Sequence, residues 1–409
     1  MAEASRTHIT YRYERWRAVA SGVLETATST FLLVIALQWF HAGAFAKALV
    51  AGGGSLGLIV SPVIVTVVSS LGWPTATAAS RLLAAGAFSF LLAAALPGLP
   101  IFILGSVAGM ATSAAVIPLL TQMYQENYPA KERGRLFSKT VMIRIGTAAL
   151  FSKLAGVALD GRLDQFRWLL LVFAMALGGA SYCLARCPSQ ALTAEGGGHP
   201  FRAMRLVRED PLFRRTLICW MLMGFANLMM LPLRVEYLGN PNYHFGLSVT
   251  RIAILTGVIP NLARLVMSPV WGWCFDHLNF FALRVTLNIG FALGMLAFFG
   301  GHSLTGMVLG AIIFGISNAG GDVAWSLWVT KFAPAARVAD YMSVHTFFTG
   351  VRGVLAPICG FYFISRWPVG WLAIISSGMI IAASLLLVPE IRFGRRARAG
   401  TALVEEVSD

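Results

Sequence analysis

Seven ionisable side chains fall where hydrocarbon is expected. Glu25, Arg144, Lys153, Arg264, Asp322, His345 and Arg352 all lie inside long apolar runs. A charge at membrane depth is costly, so it is normally paired or turned toward water. At about 1.5 Å rise per residue, Glu25 and Arg144 reach similar depths from one face. Asp322 and Arg352 do likewise nearer the midplane, Arg264 lies near mid-depth and Lys153 lies further out. The depths predict two ion pairs, Glu25–Arg144 and Asp322–Arg352. Either these pairs only fix helix packing, or one partner of each is released when a solute or a proton binds. A carboxylate that loses its cation in a low-dielectric space takes up a proton more readily. Glu25 and Asp322 are therefore the candidates for proton coupling, or else members of structural ion pairs. His345 could titrate near neutrality, although it falls close to one end of its run.

The balance of these charges indicates a chemistry. Four cations (Arg144, Lys153, Arg264, Arg352) face two carboxylates. If all line one cavity, two positive charges remain, and the planar arginine fork suits a carboxylate or phosphate. Arg144, Arg264 and Arg352 are the candidate contacts for an anionic solute. Trp325 lies three residues after Asp322, so it shares roughly its helix face and joins the candidate solute contacts. Trp220, Met221, Met223, Met229 and Met230 crowd one apolar run. A wall of thioethers and aromatic rings would also admit varied lipophilic compounds. Gly320-Gly321 beside Asp322 either frees carbonyls for a ligand or lets helices approach.

Enzymatic chemistry finds little support. Gly53-Gly54-Ser55-Leu56-Gly57 fits the G-x-S-x-G pattern, but that motif requires a strand-to-helix elbow. Here it sits inside an apolar helix. No HExxH, phosphate loop or EF-hand pattern is present. The five cysteines (Cys183, Cys187, Cys219, Cys274, Cys359) form no CxxC pair, so neither a zinc site nor a disulfide framework is expected. No cofactor or metal is expected.

The elements that position these residues follow from composition. The 409 residues are 57% hydrophobic and 12% charged, and mean hydropathy is +0.71. The lipid bilayer is therefore the expected solvent, and the sequence predicts an all-α membrane protein. With about 20 apolar residues per crossing, twelve spans are expected: 18–40, 43–70, 75–96, 99–124, 136–159, 166–187, 214–238, 248–275, 280–300, 304–331, 340–365 and 368–389. They group as 1–187 and 214–390, six spans each, around a polar central loop 188–213 and before a tail 391–409. Net charge is +14, but the basic residues cluster between apolar runs, so nucleic acid is not expected as a partner. Arg6–Arg17, Lys131–Lys139, Arg202–Arg215 and Arg392–Arg398 fall on one side. Only Lys47, Arg162, Arg167, Arg234, Arg251 and Arg366 fall on the other. The positive-inside rule then places both termini in the cytoplasm, in what is expected to be a bacterial cytoplasmic membrane. The mixed-charge lead and the long first run are unlike a cleavable signal peptide.

The two halves echo each other. Gly310, Pro334, Ala335 and Ser343 match Gly105, Pro129, Ala130 and Ser138 at one constant offset, and Ser61-Pro62-Val63 matches Ser268-Pro269-Val270. A repeat at half-length that carries intramembrane charges is the layout of a two-fold transporter. Gly53/Gly57, Gly105/Gly109 and Gly290/Gly294 have the spacing of close helix contacts in lipid.

With these features the chain resembles the major facilitator superfamily over nearly its whole length. The resemblance rests on the six-plus-six plan and on Gly272-Trp273-Cys274-Phe275-Asp276 with Arg284 after the eighth span. The Pro129-x-x-Glu132-Arg133-Gly134 loop and Tyr341-Met342-Ser343 add to it. It departs from the family pattern after the second span, where Val65 and Ser69 replace the Gly and Asp. The Pro-Gly motif of many antiporters is missing between Arg144 and Gly156. The resemblance implies twelve helices in two pseudo-symmetric six-helix bundles, with Gly272, Asp276 and Arg284 as gating-loop residues. It implies alternating-access transport of a small-molecule substrate by a monomer. An organic anion moved with a proton and a lipophilic-compound exporter both remain open. So does a non-transporting sensor or assembly factor of the same fold.

Overall fold

The computed structural model describes residues 2–191, 201–243, 245–301, 303–327 and 338–397. The chain is helical wherever the sequence is apolar. Twelve helices are long and apolar enough to cross a membrane: α1 Ser5–Trp39, α2 Ala44–Ser70, α3 Thr75–Ala95, α4 Leu99–Asn127, α5 Arg135–Leu159, α6 Leu163–Ala185, α7 Pro211–Gly239, α8 Val249–Phe275, α9 Phe280–Phe299, α10 Leu304–Asp322, α11 Tyr341–Ile364 and α12 Val369–Ile391. The protein is an integral, multi-pass membrane protein. With twelve such helices among the described residues, the start of α1 and the end of α12 lie on one side, here called the termini side.

The sequence placed the start of α1 at residue 18. The helix instead extends to Ser5, because Glu14 and Arg17 neutralise each other one turn apart at 2.6 Å and Tyr124 hydroxyl donates to Glu14 at 2.6 Å. The connection expected between the spans 304–331 and 340–365 lies outside the described residues, as do residues 192–200 of the central loop.

Packing repeats across the two halves. Within α1–α6 the principal contacts are α1 with α5 and α6, α2 with α4, and α3 with α4 and α6. Within α7–α12 they are α7 with α11 and α12, α8 with α10, and α9 with α10 and α12. Each contact of the first bundle thus has its counterpart six helices later. The bundles meet through α2 against α11 and α5 against α8, which are themselves counterparts, and through α1 against α7. Small residues allow this closeness. Gly53 lies against Val107 and Gly57 against the Ala111 carbonyl, bringing α2 to α4. Ser55, the serine of the G-x-S-x-G pattern, stays in the middle of α2 and packs against Gly353 of α11.

Two helices widen where the bundles touch. α1 has π-turns at Ala27–Phe31 and Ile35–Trp39, and α8 has one at Ile254–Val258. In α8 the cause is Pro260, which cannot donate to the Thr256 carbonyl and crowds it. In α1 no proline explains the widening. Single π-turns concentrate at functional sites, and these two meet: Thr30 and Thr256 hydroxyls hydrogen-bond at 2.8 Å across the bundle boundary.

Candidate functional site

Just toward the termini side of these π-turns lies a cluster of four charges from four helices. Gly22 of α1 sits on the backbone carbonyl of Arg144 in α5, where any Cβ would overlap. This contact sets Glu25, one turn on, against the Arg144 side chain, with Nε–Oε2 at 3.2 Å. In the other bundle, Gly315 of α10 packs on Pro260 and Ala263 of α8, and Gly320 packs on Trp271. Trp271 Nε1 also donates to the Ile316 carbonyl at 2.8 Å. That seam brings Arg264 of α8 to Asp322 of α10, with Nε–Oδ2 at 2.5 Å. Arg264 Nη1 then crosses the boundary and pairs with Glu25 Oε1, while Asn261 Oδ1 accepts from the same nitrogen at 3.3 Å.

The order is Arg144–Glu25–Arg264–Asp322, two cations alternating with two carboxylates. Arg264 is nearly sealed, its side chain 5% exposed. Its neighbours are 27% (Glu25), 33% (Arg144) and 29% (Asp322) exposed. A buried guanidinium flanked by three accessible charges can exchange one partner for another without any charge leaving the site.

Hydrogen bonds between the bundles, among the described residues, lie at this depth or further from the termini. Lys47 of α2 and Glu236 of α7 pair at 2.5 Å. Gln38 Nε2 donates to the Gly239 and Leu247 carbonyls, each at 3.4 Å. Thr250 hydroxyl donates to the Gly156 carbonyl at 3.1 Å. The far side is thus tied shut across the boundary.

The remaining candidates are dispersed. Arg352 does not pair with Asp322, although their depths match. Its side chain turns to α7, where Nη1 donates to the Trp220 carbonyl. Gly224, one turn after Trp220, leaves the space that the guanidinium fills. Arg284 is not a loop residue. Asn279 caps α9, accepting from the backbone N–H of Phe281 and Ala282, so the connection after α8 is too short to hold it. Arg284 instead lies inside α9, 2% exposed, with its guanidinium 3.7 Å from the Trp220 ring centroid. Gly272 is a helical residue of α8 with nothing packed on it. Asp276 continues that helix, and its side chain lies outside the described part of the structure. Trp325 follows Asp322 on the helical continuation of α10 to Leu327 and stacks obliquely on His345 at 5.9 Å. His345 is fully buried and meets Trp220 edge-on at 5.3 Å. Lys153 is exposed on the same stripe of α5 as Leu150, Leu154 and Val157, the arrangement of a lysine that reaches along lipid to the interface.

Sequence reasoning missed Lys47–Glu236. Lys47, inside the expected span 43–70, enters the sequence reading only as a far-side basic residue, and Glu236 lies near the end of the seventh run. The available signal was two opposite charges a few residues inside the same-side ends of two spans.

No known family profile matches the sequence, and no curated protein matches it either. Solved structures do match over nearly the whole chain. A mutant form of the nucleoside transporter NupG superposes with a TM-score of 0.74 at 11% identity, covering 94% of this chain and 99% of that one. A D-xylose–proton symporter gives 0.65 at 15% identity, with 95% and 96% covered. A bacterial homolog of the human lysosomal transporter Spinster, inward-facing and occupied, gives 0.63 at 13% identity, with 97% of each chain covered.

Proposed function

Proceeding from the major facilitator fold, we propose that this protein is a secondary active transporter that carries a small organic anion together with a proton, its two bundles rocking about the Arg144–Glu25–Arg264–Asp322 cluster. The observation that carries this reading is Arg264, a single guanidinium held between a carboxylate of its own bundle and a carboxylate of the other. A contact of that kind must be remade when the bundles move.

The charge count supplies the coupling. With both carboxylates ionised the cluster is neutral. Protonating Glu25 or Asp322 leaves it at +1 and frees donors on Arg264 or Arg144. A monovalent anion on those donors returns the sum to zero. Enclosing net charge away from water is costly, so the empty cluster and the doubly loaded cluster can be closed off, while either ligand alone cannot. That selectivity makes proton and anion travel together. With the termini in the cytoplasm, as the basic residues favour, the described state is the one held closed outward. Outward opening then requires loss of the Lys47–Glu236, Thr30–Thr256 and Gln38 contacts. Two states related by such differential contacts are all that alternating access needs.

The test is a thermal-shift screen of detergent-purified protein against organic anions, sugars and lipophilic cations. A ligand of the folded state raises Tm by mass action. The proposal expects an anion hit whose shift grows on acidification and is lost in Arg144→Gln and in Arg264→Gln. Hits confined to lipophilic cations or to neutral sugars overturn the anion assignment.

A further inference from the structure

A second set of buried cations lies apart from the cluster, in the α7–α9–α11 seam of the second bundle. Arg284 and Arg352 are 2% and 8% exposed. They meet on Trp220, one guanidinium over the indole and the other on the main-chain carbonyl. They are close enough to each other and to His345 to interact electrostatically.

Their partners are few and uncharged. Arg284 Nη2 has the Met223 thioether at 3.3 Å, and its Nη1 has no hydrogen-bond partner. Arg352 Nε also has none. Cys219, the acidic-type group near Arg284 among the described residues, is a buried free thiol. No carboxylate contacts either guanidinium among the described residues.

Three of the other buried cations differ in having a carboxylate partner. Arg17 has Glu14, Lys47 has Glu236, and Arg264 has Glu25 and Asp322. Arg234 also lacks a carboxylate and has an unpartnered Nη1, but it is a single charge, stacked on Phe314 at 4.4 Å, not one of a pair. Arginine cannot shed its proton to escape burial. Two guanidinia that meet on the same residue, Trp220, and keep unsatisfied N–H groups therefore call for a negative acceptor from outside the chain.

The site is tight. Both side chains are sealed, and Gly224 is close enough to Arg352 that even a methyl group would overlap it. An organic acid or a lipid headgroup would need the seam to part, whereas a monatomic anion asks for little more than the volume of a water. We propose that Arg284 and Arg352 hold a small inorganic anion of the chloride class between α7, α9 and α11, as a fixed structural counter-ion distinct from the transported solute.

The experiment uses the full chain in detergent at fixed ionic strength and measures Tm as gluconate is exchanged for chloride, bromide or phosphate. The proposal expects a saturable rise with chloride and with bromide, a smaller response to phosphate, and loss of the halide response in the Arg284→Gln/Arg352→Gln double variant. Arg264→Gln should keep it, which separates this site from the cluster. Should the double variant fail to elute as a single species, equilibrium dialysis of wild-type protein with radioactive chloride decides. Retention of one displaceable chloride per chain supports the site. A Tm indifferent to the anion, a response to phosphate alone, or no retained chloride overturns it.

Discussion

Lys47→Met probes the far-side closure directly. In the described state Lys47 and Glu236 are 10% and 5% exposed and 2.5 Å apart. Removing one member of a buried pair costs about 3–5 kcal/mol, because the other charge is stranded. Glu236 would keep one charge-assisted bond, from Asn240 Nδ2 at 2.8 Å, which argues for the lower end, about 3 kcal/mol. If the far side opens, Glu236 regains water, so the cost falls on the closed state alone. At 1.4 kcal/mol per decade, the closed-to-open ratio should drop by about two orders of magnitude. The assay is labelling of Val249→Cys, buried on the closed side, by an impermeant maleimide, with the five native cysteines replaced. Lys47→Met should speed labelling by up to about 100-fold, and the charge swap Lys47→Glu/Glu236→Lys should largely reverse it. Equal labelling rates in wild type and Lys47→Met, with both proteins monodisperse, would refute the view that this pair holds the far side shut.

Three further outcomes are expected. Asp322→Asn leaves the cluster at +1 without a proton, so it should bind the anion at neutral pH and lose the acid dependence seen in the thermal-shift screen. Gly224→Ala drives a methyl group into the Arg352 guanidinium. Overpacking of that kind costs about 1–3 kcal/mol, read as a lower Tm by differential scanning fluorimetry, whereas Gly272→Ala on an open face of α8 should be near neutral. The Cys187 thiol, just beyond α6, is pushed up to about 12 by burial first and by the nearby Glu14 carboxylate second. At pH 8 its thiolate fraction is then about a thousandth of that of a free cysteine, so mass spectrometry should find it unalkylated in the folded protein. Its reactivity should rise only as the pH approaches the raised value.

Much of this architecture is written in the sequence because hydrocarbon thickness imposes one length on every crossing. Twelve apolar runs, their pairing at half-length and the depths of the intramembrane charges all follow from that. Depth was enough to match Glu25 with Arg144, since α1 and α5 pack side by side. It was misleading for Asp322 and Arg352, because equal depth does not fix the angle around each helix axis. Gly315 and Gly320 turn Asp322 toward Arg264, while Gly224 opens a place for Arg352 on α7. Those contacts are tertiary and have no signature in a single sequence. Arg284 was misplaced for a different reason. A resemblance to a loop motif suggested a loop, but the Asn279 cap starts the helix before Arg284 is reached. The expected surplus of two positive charges dissolves accordingly, with Lys153 on the exposed apolar stripe and Arg352 in another seam. The anion reading now stands on the neutral cluster and its need for a proton.

The most direct measurement is transport in proteoliposomes, using the anion identified by the thermal-shift screen, with internal pH and anion uptake recorded together under a valinomycin-clamped potential. The account predicts one proton taken up per monovalent anion, at a rate independent of the potential, and loss of both fluxes in Arg264→Gln. Anion uptake without proton movement, or uptake that follows the imposed potential, would contradict it.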